Sequence, residues 1–411
     1  MEFRKHTLKN GLQVIAECNP RAFCTSLGFF VNTGSRDEVD ANWGVSHFLE
    51  HMTFKGTPRR SAEDVNRELD EIGSSSNAYT SQEQTVYYAT VLEEYQDRAV
   101  DLLCDMMRPA LRSDDFEMEK QVILEEIAKY EDEPPFNANE IALAAHFGQH
   151  PLARNVLGTN ASVTGLTPES MRAYFDLRYS PGNMTLVGSG NVNFDRLVEL
   201  ADQYCGGWQH FETHRDIRPA AAHCVFQSIE HELATQLYAV QVCDGPAGES
   251  DDRYAARLLG IVLGDDSGSR LYWDLVETGR AEYAAMEYVS FQGHGVFMTF
   301  LSCQPDDAAE NLRHIQSTWQ GAMADGITES ELQQAKNKLC AHIILSSERA
   351  SSRLFAVGNN WIKRQQYQTV RDVVDAYQRV TLTDIRRILD QYSLINHTTV
   401  AISPEKVESP Y

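Results

Sequence analysis

Polar and apolar residues alternate through the opening run EFRKHTL, break at Lys9-Asn10-Gly11 and resume in LQVIAE, which predicts a β-hairpin turning on the Asn-Gly pair. CTSLGFFVNTGS follows as a buried strand, and the acidic RDEVDANWG predicts a loop leading into a helix over SHFLEHMTF. SAEDVNRELDEIG predicts a helix capped by Ser61 and stopped at Gly73. The period then changes. In SSNAYTSQEQTVYYATVL the alternation of Thr85, Tyr87 and Ala89 predicts two strands joined by a polar turn. EEYQDRAVDLLCDMM and SDDFEMEKQVILEEIAKYEDE read as helices, the second capped near Ser113; MTLVGSGNV reads as a strand and FDRLVELADQYC as a helix.

From Gly206 to Ala222 the pattern loosens, and a Gly-Gly pair, histidines and a Pro mark a connection near the middle of the chain. The expected division is a first domain over 1–207, a linker over 208–222 and a second domain over 223–411. After the linker the order strand, acidic loop, helix restarts in ATQLYAVQVC, DGPAGESDD and RYAARLLGIVLG. This echo of the first half predicts an internal duplication, with metal-type chemistry kept only in the first copy. Strands and helices do not alternate strictly, so the fold class is α+β rather than doubly wound.

Composition narrows the function classes. The 411 residues carry a formal net charge of −23, which argues against phosphate neutralisation and so against a nucleic-acid partner. The acidity implies solubility and, where it lines a cavity, attraction of basic peptides. Eight cysteines at scattered spacings, without a CxxC, predict reduced and buried thiols. No apolar run approaches the roughly 18 residues that span a bilayer. The expectation is a cytoplasmic protein without a membrane partner.

The chemistry starts at His47-Phe48-Leu49-Glu50-His51. On a helix, i and i+4 share a face, so His47 and His51 can converge on one ion, with Glu50 beside them. Zinc takes imidazole nitrogens at about 2.0–2.1 Å and, in a catalytic site, keeps a position open. Glu50 is then placed to accept a proton and pass it to a leaving amine. The order H-x-x-E-H is that of the inverzincins. The third ligand beside two histidines is commonly a carboxylate. In EMEKQVILEEIAKYEDE, Glu119 and Glu126 are seven apart and share a face with Val122 and Ile123, while Glu125 falls elsewhere and can pair with Lys129. A carboxylate on an apolar face is costly unless paired or metal-bound. Glu126 is therefore the expected ligand, and Glu119 the group that orients a histidine. His210 and His214 are also four apart, but no partner carboxylate stands out.

HFLEHMTFKGT, NAYTSQEQTVYYATVL, EKQVILEEIAKYEDEP, HPLARNVLGT and YSPGNMTLVGSGNV together resemble the pitrilysin-like zinc peptidases, specifically the half-length branch that includes mitochondrial processing peptidase and its bacterial relatives. The resemblance is strong to about Val192 and looser beyond. It implies two similar domains, each a largely antiparallel sheet with helices packed on one face. It implies one Zn2+ per chain on His47, His51 and Glu126, with Glu50 as the base and Glu119 in support. Ser76, Asn77, Ala78, Tyr79 and Thr80 match the edge strand to which an extended peptide adds by main-chain pairing. One departure stands out. The family's second domain carries an Arg seven residues before a Tyr that together hold the substrate carbonyl; Tyr283 matches, but the Arg position is Val276, with Arg280 nearby. The implied function is a zinc metalloendopeptidase that cleaves short, extended or unfolded peptides inside a closed two-chain chamber. The second chain has the same fold, an unlike partner being slightly favoured over an identical one. The alternatives are a non-catalytic structural subunit of the same fold or a peptide-binding module.

Overall fold

The hairpin forms where the Asn-Gly pair sits: β1 (Glu2–Thr7) and β2 (Gln13–Cys18) pair antiparallel, with Glu2 opposite Cys18 and Thr7 opposite Gln13. In the computed structural model, which describes residues 1–411, β3 (Cys24–Val31) follows, then α1 (Val45–Thr53), α2 (Ala62–Glu71), β4 (Ser75–Thr80) and β5 (Thr85–Leu92). The helices α3 (Gln96–Met106), α4 (Ser113–Asp132), α5 (Ala138–Phe147), α6 (Asn160–Gly165) and α7 (Pro168–Arg178) lead to β6 (Met184–Gly190) and α8 (Phe194–Cys205). Ser61 caps α2 by accepting from the Asp64 amide, and Gly73 ends it with φ near +60°. Residues 208–222 carry no regular secondary structure.

After them come β7 (Phe226–Glu230), β8 (Leu237–Gly245), α9 (Asp252–Gly264), β9 (Tyr283–Phe291), β10 (His294–Cys303), α10 (Ala308–Asp325), α11 (Glu329–Ser346), α12 (Ala350–Arg364), α13 (Val370–Arg379), α14 (Leu382–Gln391) and β11 (His397–Ser403). No helix is long and apolar enough to cross a membrane.

Two sheets result. The first runs β1-β2-β6-β3-β5-β4 and the second β7-β11-β8-β10-β9. Pairing is antiparallel except for β2 with β6 and β11 with β7. Without β1, the first sheet has the order and the one parallel pair of the second, which is the mark of a duplicated fold. The class is α+β, with two similar domains.

The chain divides into two compact units that do not follow its linear halves. The first comprises Met1–Ile127, Arg154–Asp216 and Leu345–Gln368; the second comprises Ala128–Ala153, Ile217–Ile344 and Thr369–Tyr411. In the first unit, one face of the sheet packs on α1, α3, α4, α7 and α8 through residues such as Leu27, Phe29, Phe48, Leu103 and Phe116. The opposite face, Ile15, Phe30, Val86 and Val187, is covered by Leu354, Val357 and Trp361 of α12. A Cβ at Gly358 would come within 2.3 Å of the Phe30 ring, so only glycine lets α12 lie this close. Arg353 grips the buried Glu17 through two hydrogen bonds of 2.7 and 2.5 Å, and Tyr367 donates to the same carboxylate. The second unit repeats the plan. α9, α10, α11 and α14 cover one face of its sheet, and α5, from the first half of the chain, packs Ala142, Leu143 and Phe147 against Val240, Val242, Met298 and Val400 on the other. Helices thus cover one face of each sheet, and a single exchanged helix covers part of the second.

Candidate metal centre and its surroundings

Helix α1 buries Val45, Phe48, Leu49 and Met52, spaced i, i+3, i+4 and i+7, in the core of the first unit. At about 100° per residue, that stripe leaves His47, Glu50 and His51 on the opposite side of the helix. Phe48 stacks on Phe116 of α4, with ring centroids 4.5 Å apart, and so fixes the separation of the two helices that carry the site. The start of α1 is set by Gly44, whose φ of +92° no β-carbon would favour and whose own Cβ would lie 2.7 Å from the Leu157 carbonyl. The buried Glu38 carboxylate accepts from the Gly44 and Ser46 amides at 2.8 and 2.7 Å, satisfying donors that the helix leaves open.

α4 brings the carboxylates. Its buried residues are Phe116, Glu119, Lys120, Ile123 and Ile127. At about 100° per residue, Glu119 and Glu126 lie on the flank of the side formed by Phe116, Ile123 and Ile127. Val122 lies beyond them and is 43% exposed, so it does not belong to the apolar face expected from the sequence. Lys129, expected to pair with Glu125, stands 3.8 Å from Glu133 instead.

Glu126 Oε2 lies 3.8 Å from His47 Nε2 and 3.6 Å from His51 Nε2. Ligand atoms around tetrahedral zinc stand about 3.3–3.4 Å apart, given bonds of about 2.0–2.1 Å. Both distances from Glu126 to the imidazoles are within about half an ångström of that spacing, and all three donor atoms lie within 4.8 Å of one another. His51 turns its other nitrogen, Nδ1, to Glu119 Oε1 at 2.8 Å, which leaves Nε2 for an ion. Glu119 is held in turn by Lys55 Nζ at 2.5 Å. His47 Nδ1 is buried without a partner. The residues fit a zinc ion.

Their electrostatics follow from burial and mutual charge. Burial, followed by the charge of His51, pushes His47 down to about 3, so its imidazole is neutral and able to ligate. Burial works to lower His51 as well, but the Glu119 hydrogen bond and the charges of Glu126, Glu119 and Glu50 raise it on balance. Burial raises Glu50, against the Thr80 hydrogen bond and the charge of His51. Burial would also raise Glu119, but His51 and Lys55 bring it below the usual carboxyl value.

Strand β4 lies at the edge of the first sheet. Ser76, Asn77, Ala78 and Tyr79 run along it, and Thr80 ends it by donating its hydroxyl to Glu50 Oε2 at 2.6 Å. Two contributors escaped the sequence reading. Lys55 lies just past the end of α1 and meets Glu119 of α4, and the Thr80 hydroxyl meets Glu50, so both links exist only through tertiary packing.

Tyr283 opens β9 in the second unit, is 47% exposed and lines a cavity of about 640 Å³ with Arg257 and Glu287. Val276 packs on the core of that unit. Arg280 follows the turn at Gly279 and pairs with Glu310 at 2.6 Å.

Residues 13–160 match the family model described as insulinase (peptidase family M16), and residues 165–339 match the one described as the peptidase M16 inactive domain. A protein of Mycobacterium tuberculosis named as an uncharacterized zinc protease is 32% identical over 395 residues, 94% of this chain and 89% of that one. The chain belongs to peptidase family M16. Another M16 relative, the beta subunit of the mitochondrial-processing peptidase of Caenorhabditis elegans, is 30% identical over 82% of this chain and 76% of its own. The M16 fold recurs in a protease from Helicobacter pylori, with a TM-score of 0.91 and 23% identity over 98% of this chain and 99% of that one. In this M16 chain the histidine-glutamate motif occurs once, in the half matched by the first family model.

Proposed function

We propose that the chain is a zinc metalloendopeptidase that hydrolyses short, extended or unfolded peptides. One observation carries the reading: Glu50, freed of any ion-pair partner and oriented by Thr80, stands on the same helix turn as two imidazoles that converge with Glu126. His47, His51 and Glu126 would hold one zinc ion per chain. Zinc, when bound, supplies the Lewis acid that polarises a peptide carbonyl or acidifies water. Glu50 takes up a proton on its carboxylate and returns it to the leaving amine. Glu119 keeps the proton on His51 Nδ1 and so keeps Nε2 turned to the ion. The unpaired edge of β4, Ser76 to Thr80, offers backbone groups to an extended peptide, with pockets for alternate side chains.

The proposal extends to assembly. A second chain of this fold closes the chamber and excludes water, and an unlike chain is slightly favoured, because it can supply the cation that Val276 does not. Tyr283 then contributes to holding the substrate carbonyl. In this reading 1–207 is the zinc-bearing domain, 208–222 the linker and 223–411 the domain without the motif, and the protein works in the cytoplasm. A non-catalytic subunit is the second reading, favoured by Val276 and by Arg280 being occupied with Glu310.

The test compares wild type, His47→Ala and Glu50→Gln, each counted for zinc and assayed on a quenched-fluorescence peptide set, alone and with candidate partner chains. Glu50→Gln should keep its zinc and lose about 10²–10⁴-fold in turnover. Near-normal turnover in zinc-loaded Glu50→Gln would remove the base assignment. No cleavage by zinc-loaded wild type under any pairing would favour the non-catalytic subunit.

A further inference from the structure

A second group of ligand-type side chains sits in the second unit. His146 lies in the last turn of α5, Asp244 near the end of β8, and His294 at the start of β10. Val296 is directly opposite Asp244 in the ladder, so His294, two residues earlier, shares that face. Both imidazole Nε2 atoms are 3.1 Å from the same oxygen, Asp244 Oδ1. One donor atom from each residue lies within 4.8 Å of the others. The His146 side chain is fully buried, whereas that of Asp244 is 42% exposed, so the group opens to water on the carboxylate side.

Counting protons shows what the group lacks. Thr398 donates its only hydroxyl proton to the His223 carbonyl. Towards His146 Nδ1, 3.3 Å away, the Thr398 oxygen then accepts, an arrangement met when Nδ1 carries the proton. A neutral His146 then presents the bare lone pair of Nε2 to a carboxylate oxygen at 3.1 Å. In that tautomer two acceptors face each other at hydrogen-bond distance, and a cation or a second imidazole proton relieves the clash of lone pairs. Two imidazole nitrogens and one carboxylate are a donor set for zinc or a similar transition metal rather than for calcium or magnesium. Each imidazole Nε2 is already closer to the Asp244 oxygen than ligand atoms stand around tetrahedral zinc, and all three donor atoms lie within 4.8 Å of one another.

We propose that His146, Asp244 and His294 form a second divalent transition-metal site, which pins the exchanged helix α5 to β8 and β10, with water completing the coordination. The spacing hides it from the sequence: Asp244 is 98 residues from His146 and 50 from His294. The rival source of positive charge is a proton on His146, giving an imidazolium–carboxylate pair.

The experiment uses the full chain, stripped of metal, reloaded with zinc or cobalt and freed of excess by gel filtration. Wild type should hold two ions per chain, His47→Ala one, and His47→Ala combined with His294→Ala or Asp244→Asn none. In the His47→Ala background, cobalt should give a visible ligand-field band that the His294→Ala change abolishes, and added zinc should raise the melting temperature. One ion in wild type with none in His47→Ala, no cobalt band and no thermal shift would overturn the site and leave an imidazolium–carboxylate pair only. If the double variants do not fold, the ion counts for wild type and His47→Ala decide alone.

Discussion

Lys55 ends a relay that starts at the donor cluster: Lys55 Nζ holds Glu119, Glu119 holds His51 Nδ1, and His51 Nε2 faces Glu126. Outer partners of this kind typically tune metal affinity about 10–100-fold. Lys55→Met is therefore expected to weaken zinc binding by that factor without unfolding the chain; chelator competition measures it, and an unchanged dissociation constant would sever the relay. At Thr80 the sign can be worked out in the same way. Its hydrogen bond favours the ionised form of Glu50 and so lowers the carboxyl value that burial raises. Removing the bond in Thr80→Val should raise it, moving the acid limb of the pH–rate profile for kcat/KM to higher pH. A limb that stays in place, or moves to lower pH, would show that Thr80 does not set the ionisation of Glu50. Much of this cluster was legible because His47, Glu50 and His51 share one helix turn and Glu119 and Glu126 lie two turns apart on another. Val122 was misplaced because hydrophobicity alone puts it on the buried side, whereas the helix turns it past the carboxylate flank into solvent.

At the scale of elements, α1 starts against a buried carboxyl group. Burial pushes Glu38 up to about 8 from an ordinary 4.5, although the Gly44 and Ser46 amides act against the rise. A carboxyl whose folded value lies above its unfolded one stabilises the fold fully below about 4.5, and that contribution is lost as pH rises through about 8. Between pH 5 and 8.5 the melting temperature of the metal-free protein should therefore fall more steeply in wild type than in Glu38→Gln, whose side chain cannot ionise. Parallel curves would show that Glu38 contributes nothing to the slope. The strands and the first helices were readable because turn residues and changes of period delimit them. The placement of α5 and α12 was not: each shows an ordinary apolar face, and which sheet that face meets is decided by pairings hundreds of residues apart, such as Glu17 with Arg353.

Over the whole molecule, the charge of −23 predicts that cleavage of Lys- and Arg-rich peptides exceeds that of neutral ones at low salt, and that the advantage shrinks as ionic strength rises. Rates across a matched peptide set would show it, and indifference to charge and salt would remove an acidic cavity from the account. The exchange of helices makes a further prediction. A fragment ending at Asp216 lacks α12 and leaves Ile15, Phe30, Val86 and Val187 bare, so it should bind a hydrophobic dye and aggregate, and a separate 345–368 peptide should rescue it. A monomeric fragment silent to the dye would show that its sheet stands without α12. The same feature bears on biosynthesis. The first unit cannot be sealed as it leaves the ribosome, because its last helix is translated roughly 150 residues after Asp216, on the order of ten seconds later. For that interval the nascent sheet is open and sticky, and the cell's chaperones, rather than the sequence alone, decide whether it waits for its own helix or meets a neighbour's.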